Sequence, residues 1–167
     1  RYGNVFGSSG SVIPKFIQQI NKNEKITITD PNMTRFSITM NQALDFILKA
    51  TKNGHGSEIF IPKVKAYSLQ QIVDILSNLT KTKEHTIIGI RPGEKQHESL
   101  INSDEMRSAW SYENMFMLLN ELHDDKNLEK TYPGIKKVKD LDVYSSDKSE
   151  SLTMDEITNN IKDLQLL

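Results

Sequence analysis

Three short stretches of this chain carry side chains suited to gripping an anion. In Ile90-Arg91-Pro92-Gly93-Glu94 an apolar run that reads as a buried strand ends in an arginine, Pro-Gly turns the chain, and a carboxylate follows three residues after the guanidinium. Such a pair could divide the holding of a nucleotide, with Arg91 on phosphate oxygens and Glu94 accepting from sugar hydroxyls. An ion pair that merely stabilises a turn at the rim of a sheet accounts for the same pattern equally well. In Asp30-Pro31-Asn32-Met33-Thr34-Arg35-Phe36 a turn delivers one arginine beside an aromatic. Arg35 could clamp a diphosphate bidentately, although stacking on Phe36 at the surface is the commoner fate of such a pair. The segment from Arg1 to Pro14 reads as a strand entering a Gly/Ser-rich loop that then opens a helix. That order gathers backbone N–H groups, hydroxyls and a helix dipole near one point, which suits a phosphate. A plain glycine-rich turn with Ser11 as the helix cap is the more frequent outcome of such spacing. The loop is neither a Walker loop nor a dinucleotide fingerprint, because the required Gly-Lys-Ser/Thr and Gly-x-Gly-x-x-Gly runs are missing.

Other chemistries find little support. The chain has no cysteine, which removes disulfides, thiolate metal sites and thiol nucleophiles. His97 and Glu98 are adjacent, so on a helix they point apart, and with no second histidine nearby no metal site is expected there. They read as helix-face structure. Twenty-one basic against 22 acidic residues leave a net charge of −1, so no global field favours nucleic acid or an anionic membrane. Any anion recognition must be local. Trp110, Tyr112 and Phe116 lack an accompanying basic stripe and read as core or interface aromatics. No apolar run approaches the roughly 20 residues of a membrane helix, and the protein is expected to work in the cytoplasm.

The elements that would position these residues alternate between strand and helix, the order of an α/β unit. Residues 26–29, 58–61 and 86–90 are the clearest strands. Helix starts are marked by Thr39 with Gln42, Ser68 with Gln71 and Thr153 with Glu156, each able to form a reciprocal capping box. Their apolar stripes are Ala43, Leu44, Phe46, Ile47 and Ala50; then Leu69, Ile72, Val73, Ile75, Leu76 and Leu79; then Ile157, Ile161 and Leu164. Polar residues crowd without periodicity over 123–130 and 144–151, which predicts exposed loops.

Taken together, Arg-Tyr-Gly-Asn-Val at 1–5, Gly-Ser-x-Gly-Ser-Val-Ile-Pro at 7–14 and Ile-Thr-Asp-Pro-x-Met-Thr-Arg-Phe at 28–36 match a known pattern. So do Glu-Ile-Phe-Ile-Pro-Lys at 58–63, Gly-Ile-Arg-Pro-Gly-Glu-Lys-x-His-Glu at 89–98 and the tail from Tyr144 through the final helix. They resemble the C-terminal half of the inverting UDP-N-acetylglucosamine 4,6-dehydratases, extended short-chain dehydrogenases/reductases of surface-polysaccharide and flagellin-glycan pathways. The resemblance covers nearly the whole chain, in order. It implies an α/β fold, the C-terminal part of a Rossmann-type domain together with a smaller UDP-sugar domain. Residues 1–167 would be the substrate-binding portion, with the cofactor-binding half upstream.

By that resemblance Asn4 and Arg35 approach the diphosphate, Val12 and Pro14 lie against the uracil, Arg91 holds phosphate and Glu94 the ribose. Arg1 and Tyr2 would sit near the nicotinamide of NADP, itself bound mainly by the upstream half. The family reaction removes hydride from C4 of the sugar, eliminates water across C5–C6 and returns hydride to C6 with inversion at C5. Its Tyr-x-x-x-Lys pair and its acid and base residues lie upstream, so this piece alone is expected to bind a UDP-sugar without turning it over. A related UDP-sugar epimerase or reductase, or a silent UDP-binding remnant, would share the same motifs. Family members are commonly homo-oligomeric. One departure stands out: Ser9 occupies a position where the family usually has arginine, which removes a strong anion partner.

Overall fold

A computed structural model describes residues 1–81, 84–119 and 125–166. In chain order they form helix α1 (Val12–Asn21), strands β1 (Ile26–Ile28) and β2 (Thr34–Phe36), helix α2 (Met40–Asn53), and strands β3 (Ile59–Pro62) and β4 (Ala66–Ser68). Helix α3 (Leu69–Thr80) and strands β5 (His85–Ile87) and β6 (Ser99–Ile101) follow, then α4 (Ser103–Met106), β7 (Ala109–Tyr112) and β8 (Met115–Leu118). The chain continues through α5 (Asp125–Thr131), β9 (Lys136–Lys137), β10 (Tyr144–Ser145) and α6 (Met154–Asp163). The described residues divide into two units: Arg1–Tyr2, Asn41–Lys63 and Ser99–Ser145 in the first, and Gly3–Met40, Val64–Glu98 and Ser146–Leu167 in the second.

The second unit is built on helices. Ile13, Phe16 and Ile17 of α1, Ile72, Val73, Ile75 and Leu76 of α3, and Ile157 and Ile161 of α6 are buried in one cluster with Ile26 and Ile28 of β1. Spacings of three and four residues put each set on one helix face. Two of the three helix-start pairs expected from the sequence form capping boxes here. Ser68 accepts from the Gln71 N–H while Gln71 accepts from the Ser68 N–H, and Thr153 and Glu156 do the same. β1 and β5 pair in parallel, Ile26 opposite His85 to Ile28 opposite Ile87. β2 and β4 pair antiparallel, with Arg35 opposite Tyr67.

The first unit holds an antiparallel sheet in the order β3-β8-β7-β9. β7 and β8 are joined by Glu113 and Asn114, with Glu113 at φ 48°, a tight reversal of the kind two-residue hairpins require. All four residues of β8 are buried. The core gathers Phe46, Phe60, Met117, Leu128 and Tyr132. The Tyr132 hydroxyl donates to Glu58 at 2.5 Å, and its ring meets those of Tyr112 and His55 edge-on at 5.5 Å. Burial alone would push the Glu58 carboxyl up, but Tyr132 and the N–H groups of His55 and Gly56 hold it at about 2.

Several expectations need correction. Residues 125–131 form α5 rather than a loop, anchored by the buried Leu128, while residues 123 and 124 lie outside the described set. Tyr144, Ser145 and Ser146 are buried rather than exposed, because β10 pairs with β6 and Ser146 Oγ accepts from the Glu98 N–H. The strand expected to run to Ile90 ends at Ile87 and is exposed along its length; β1 is its one partner among the described residues. Leu44 and Ile47 of α2 are 53% and 43% exposed, so that helix buries only the narrower stripe of Ala43 and Phe46. Leu79 of α3 is likewise exposed. His97 and Glu98 are not helical; they bond to β2 and to Ser146.

Candidate functional site

The three anion-suited stretches meet within the second unit. Val5 bridges to Ile38, the Phe6 N–H donates to the Ile38 carbonyl at 2.8 Å, and two turns then carry the chain to Ser11, the N-cap of α1. Ser11 has extended cap dihedrals, yet its side chain makes no capping bond. Its Oγ is buried without a hydrogen-bond partner among the described residues, an uncommon state for a hydroxyl in a folded protein.

Arg35 lies on β2 and crosses toward the segment at 94–98. Its Nη1 donates to the carbonyls of Thr34 at 2.8 Å and Gln96 at 3.1 Å, and its Nε lies 3.6 Å from Glu98 Oε1. The Arg35 side chain is only 14% exposed and that of Glu98 25%. The guanidinium is therefore not a bare clamp but is tied to backbone carbonyls and to Glu98. Burial pushes the Glu98 carboxyl above its ordinary range, with the Arg35 charge opposing. Burial also pushes the Tyr67 phenol up to about 12, against the nearby Arg35 charge and with that of Glu98.

Arg91 to Glu94 close a turn. The Glu94 N–H donates to the Arg91 carbonyl at 3.0 Å, with proline second and Gly93 third at φ 79°, the pattern of a type II turn. Glu94 accepts from the Arg91 backbone N–H at 3.2 Å. The carboxylate therefore fastens the turn through the backbone, and the Arg91 guanidinium has no ion-pair partner among the described residues.

A cavity of about 220 Å³ opens among these parts. Asn4, Val12, Arg35, Arg91 and Glu94 all line it. Pro14, in the first turn of α1, is not among its lining residues. Arg1 and Tyr2 belong to the first unit. Arg1 forms a two-pronged ion pair with Glu105 at 2.7 and 2.8 Å and donates to the Leu100 carbonyl, and Tyr2 sits edge-on to Phe46. Ser9 is exposed and does not line the cavity.

Sequence reasoning missed four polar contributors to the wall: Lys15, Thr27, Thr29 and Tyr67. Lys15 was legible by spacing, since it stands one helical turn beyond Ser11 and shares its face. The others could not be placed without knowing that β1 packs on α1 and that Tyr67 of β4 joins the same buried cluster. With Lys15, Arg35 and Arg91 against Glu94, the wall is locally cationic in a chain of net charge −1. That concentration of charge favours an anion of two or more charges.

The family described as a polysaccharide biosynthesis protein matches residues 1–120. The chain belongs to this family. Among its relatives, the UDP-glucose 4-epimerase of Rickettsia bellii (strain OSU 85-389) is 37% identical over 158 residues, covering 94% of this chain and 46% of the relative. The UDP-N-acetylglucosamine 4,6-dehydratase (inverting) of Campylobacter jejuni subsp. jejuni serotype O:2 is 40% identical over 155 residues, 89% of this chain and 46% of that protein. The X-ray structure of Pen from Bacillus thuringiensis matches with a TM-score of 0.84 and 37% identity, across all of this chain and 50% of the other. The chain spans about half the length of the curated relatives it matches. The chain thus has the expected mixed α/β architecture of an extended short-chain dehydrogenase/reductase portion. Its named relatives divide between nucleotide-sugar epimerases and a dehydratase. Among the described residues no helix is long and apolar enough to cross a membrane.

Proposed function

We propose that the cavity of the second unit holds the UDP portion of a nucleotide sugar. The whole protein would then be an NADP-dependent UDP-N-acetylglucosamine 4,6-dehydratase of glycan biosynthesis, with residues 1–167 as its substrate-binding portion. One observation carries this reading: Asn4, Val12, Arg35, Arg91 and Glu94, drawn from three separated stretches, line a single cavity. Arg91, without an ion-pair partner among the described residues, meets phosphate oxygens; Arg35, held rigid by Gln96 and Glu98, offers an Nη2 N–H to the same diphosphate. Glu94 accepts from ribose hydroxyls, Val12 packs on the uracil, and Asn4 donates to phosphate. Pro14 acts indirectly, by shaping the first turn of α1. The unpaired Ser11 hydroxyl gains a partner when the anion arrives.

NADP supplies the redox chemistry when bound. The residues present do not form its dinucleotide site, because the chain contains no glycine-rich fingerprint and the Arg1 guanidinium is already paired with Glu105. Tyr2, part-exposed with its ring edge-on to Phe46, would be the one of the first two residues left to face a nicotinamide. These 167 residues alone bind UDP without turnover. A second reading, a UDP-hexose 4-epimerase, is favoured by the Rickettsia relatives, which cover 94% of the chain. Incubating the whole protein with UDP-N-acetylglucosamine and reading the product by NMR separates them: a 4-keto-6-deoxy sugar supports the dehydratase, a C4 epimer the epimerase. A chain that binds no UDP would reject both.

A further inference from the structure

We propose that Lys15 is a phosphate-binding residue of this cavity and sets its preference for a diphosphate over an uncharged nucleoside. The inference rests on the UDP reading above and deepens it. Lys15 lies on α1 four residues after Ser11 and three after Val12, and all three line the cavity. These spacings put the ammonium on the face that presents the unpartnered Ser11 Oγ. Lys15 is exposed and its ammonium has no hydrogen-bond or ion-pair partner among the described residues, so no protein carboxylate competes for it.

Charge matching argues for the role. Of the three cations in the wall, Arg35 is committed in part to Glu98, whereas the Arg91 and Lys15 side-chain cations have no ion-pair partner among the described residues. A diphosphate esterified at both ends carries about two negative charges, one per phosphate. Two free cations, one on the α1 side and one at the turn after β5, match that charge. The uncharged base and ribose face Val12 and Glu94 and need neither cation. Lys15 should therefore act on the phosphate-bearing ligands and leave nucleoside recognition alone.

The test measures binding of UDP and of uridine to the full chain by calorimetry at two ionic strengths, for wild type, Lys15→Gln and Lys15→Arg. Loss of one partly exposed charge-assisted contact is expected to weaken UDP about tenfold, flatten its salt dependence and leave uridine unchanged. Lys15→Arg should retain most of the UDP affinity. Lys15 is exposed on a helix surface, so the variants should keep the wild-type circular dichroism spectrum. Equal losses for UDP and uridine, or no change in UDP affinity or salt dependence, would overturn the proposal while leaving UDP binding intact. Failure of the wild-type chain to bind UDP at all would overturn both readings.

Discussion

Replacing Arg35 by methionine separates the structural duty of that guanidinium from its duty toward a ligand. Its Nε stands 3.6 Å from Glu98 Oε1, which at an effective dielectric constant near 20 corresponds to roughly 4–5 kcal/mol of gross attraction. Desolvation offsets much of this, and with side chains 14% and 25% exposed we expect a net loss of about 2–3 kcal/mol on truncation. The loss should depend on pH in a defined direction. Burial already raises the Glu98 pKa in the folded state and the Arg35 charge restrains that rise, so Arg35→Met raises it further. Below the unfolded carboxyl pKa the side chain is neutral in both states, and the variant loses only the bonds to Thr34, Gln96 and the Met33 sulfur. As pH rises through the folded pKa, an unpaired half-buried carboxylate appears and stability is lost. Thermal unfolding should show a deficit of about 5–8 °C at pH 8 that shrinks toward pH 4. Arg35→Met combined with Glu98→Gln should regain most of the stability lost at pH 8, but none of the UDP affinity. A deficit independent of pH, or a double variant no more stable than the single one, would refute the reasoning.

Two further outcomes follow from the same geometry. Arg91→Gln removes a guanidinium that has no ion-pair partner among the described residues, so it should weaken UDP by about ten- to a hundredfold while shifting the melting temperature by under about 2 °C, because the turn is fastened by Glu94 and backbone. Tyr132→Phe removes the hydroxyl that helps hold Glu58 at about 2. A carboxyl lowered in the folded state contributes stability above its unfolded pKa and loses it as pH falls, so this variant should cost about 1–2 kcal/mol at pH 7 and converge with wild type in acid titrations.

Much of this architecture could be read from residue order. The capping signatures at Ser68 and Thr153 located α3 and α6, because a reciprocal side-chain and backbone pair is a purely local device. The same device at Asn102 with Glu105 opens α4 and went unread, since that helix is only one turn long. Tyr144 to Ser146 looked like a polar loop, and nothing local announces that β6 and Thr34 lie opposite them. α5 carries one buried leucine, too little for a periodic stripe. At the site, Arg35, Arg91 and Glu94 were legible through the Pro-bearing turns that present them. Lys15 could have been found from its spacing to Ser11, whereas Tyr67 could not, because it joins the cavity only through the packing of β4. The Arg35–Glu98 contact joins residues 63 positions apart, and no local pattern encodes it.

The central claim is that this cavity receives UDP, and a crystal structure of the chain grown with UDP tests it most directly. The account predicts a diphosphate in the cavity within hydrogen-bonding distance of Arg91 and Arg35, the ribose against Glu94 and the uracil against Val12. A UDP bound elsewhere, or an empty cavity at a concentration that saturates binding in solution, would contradict it.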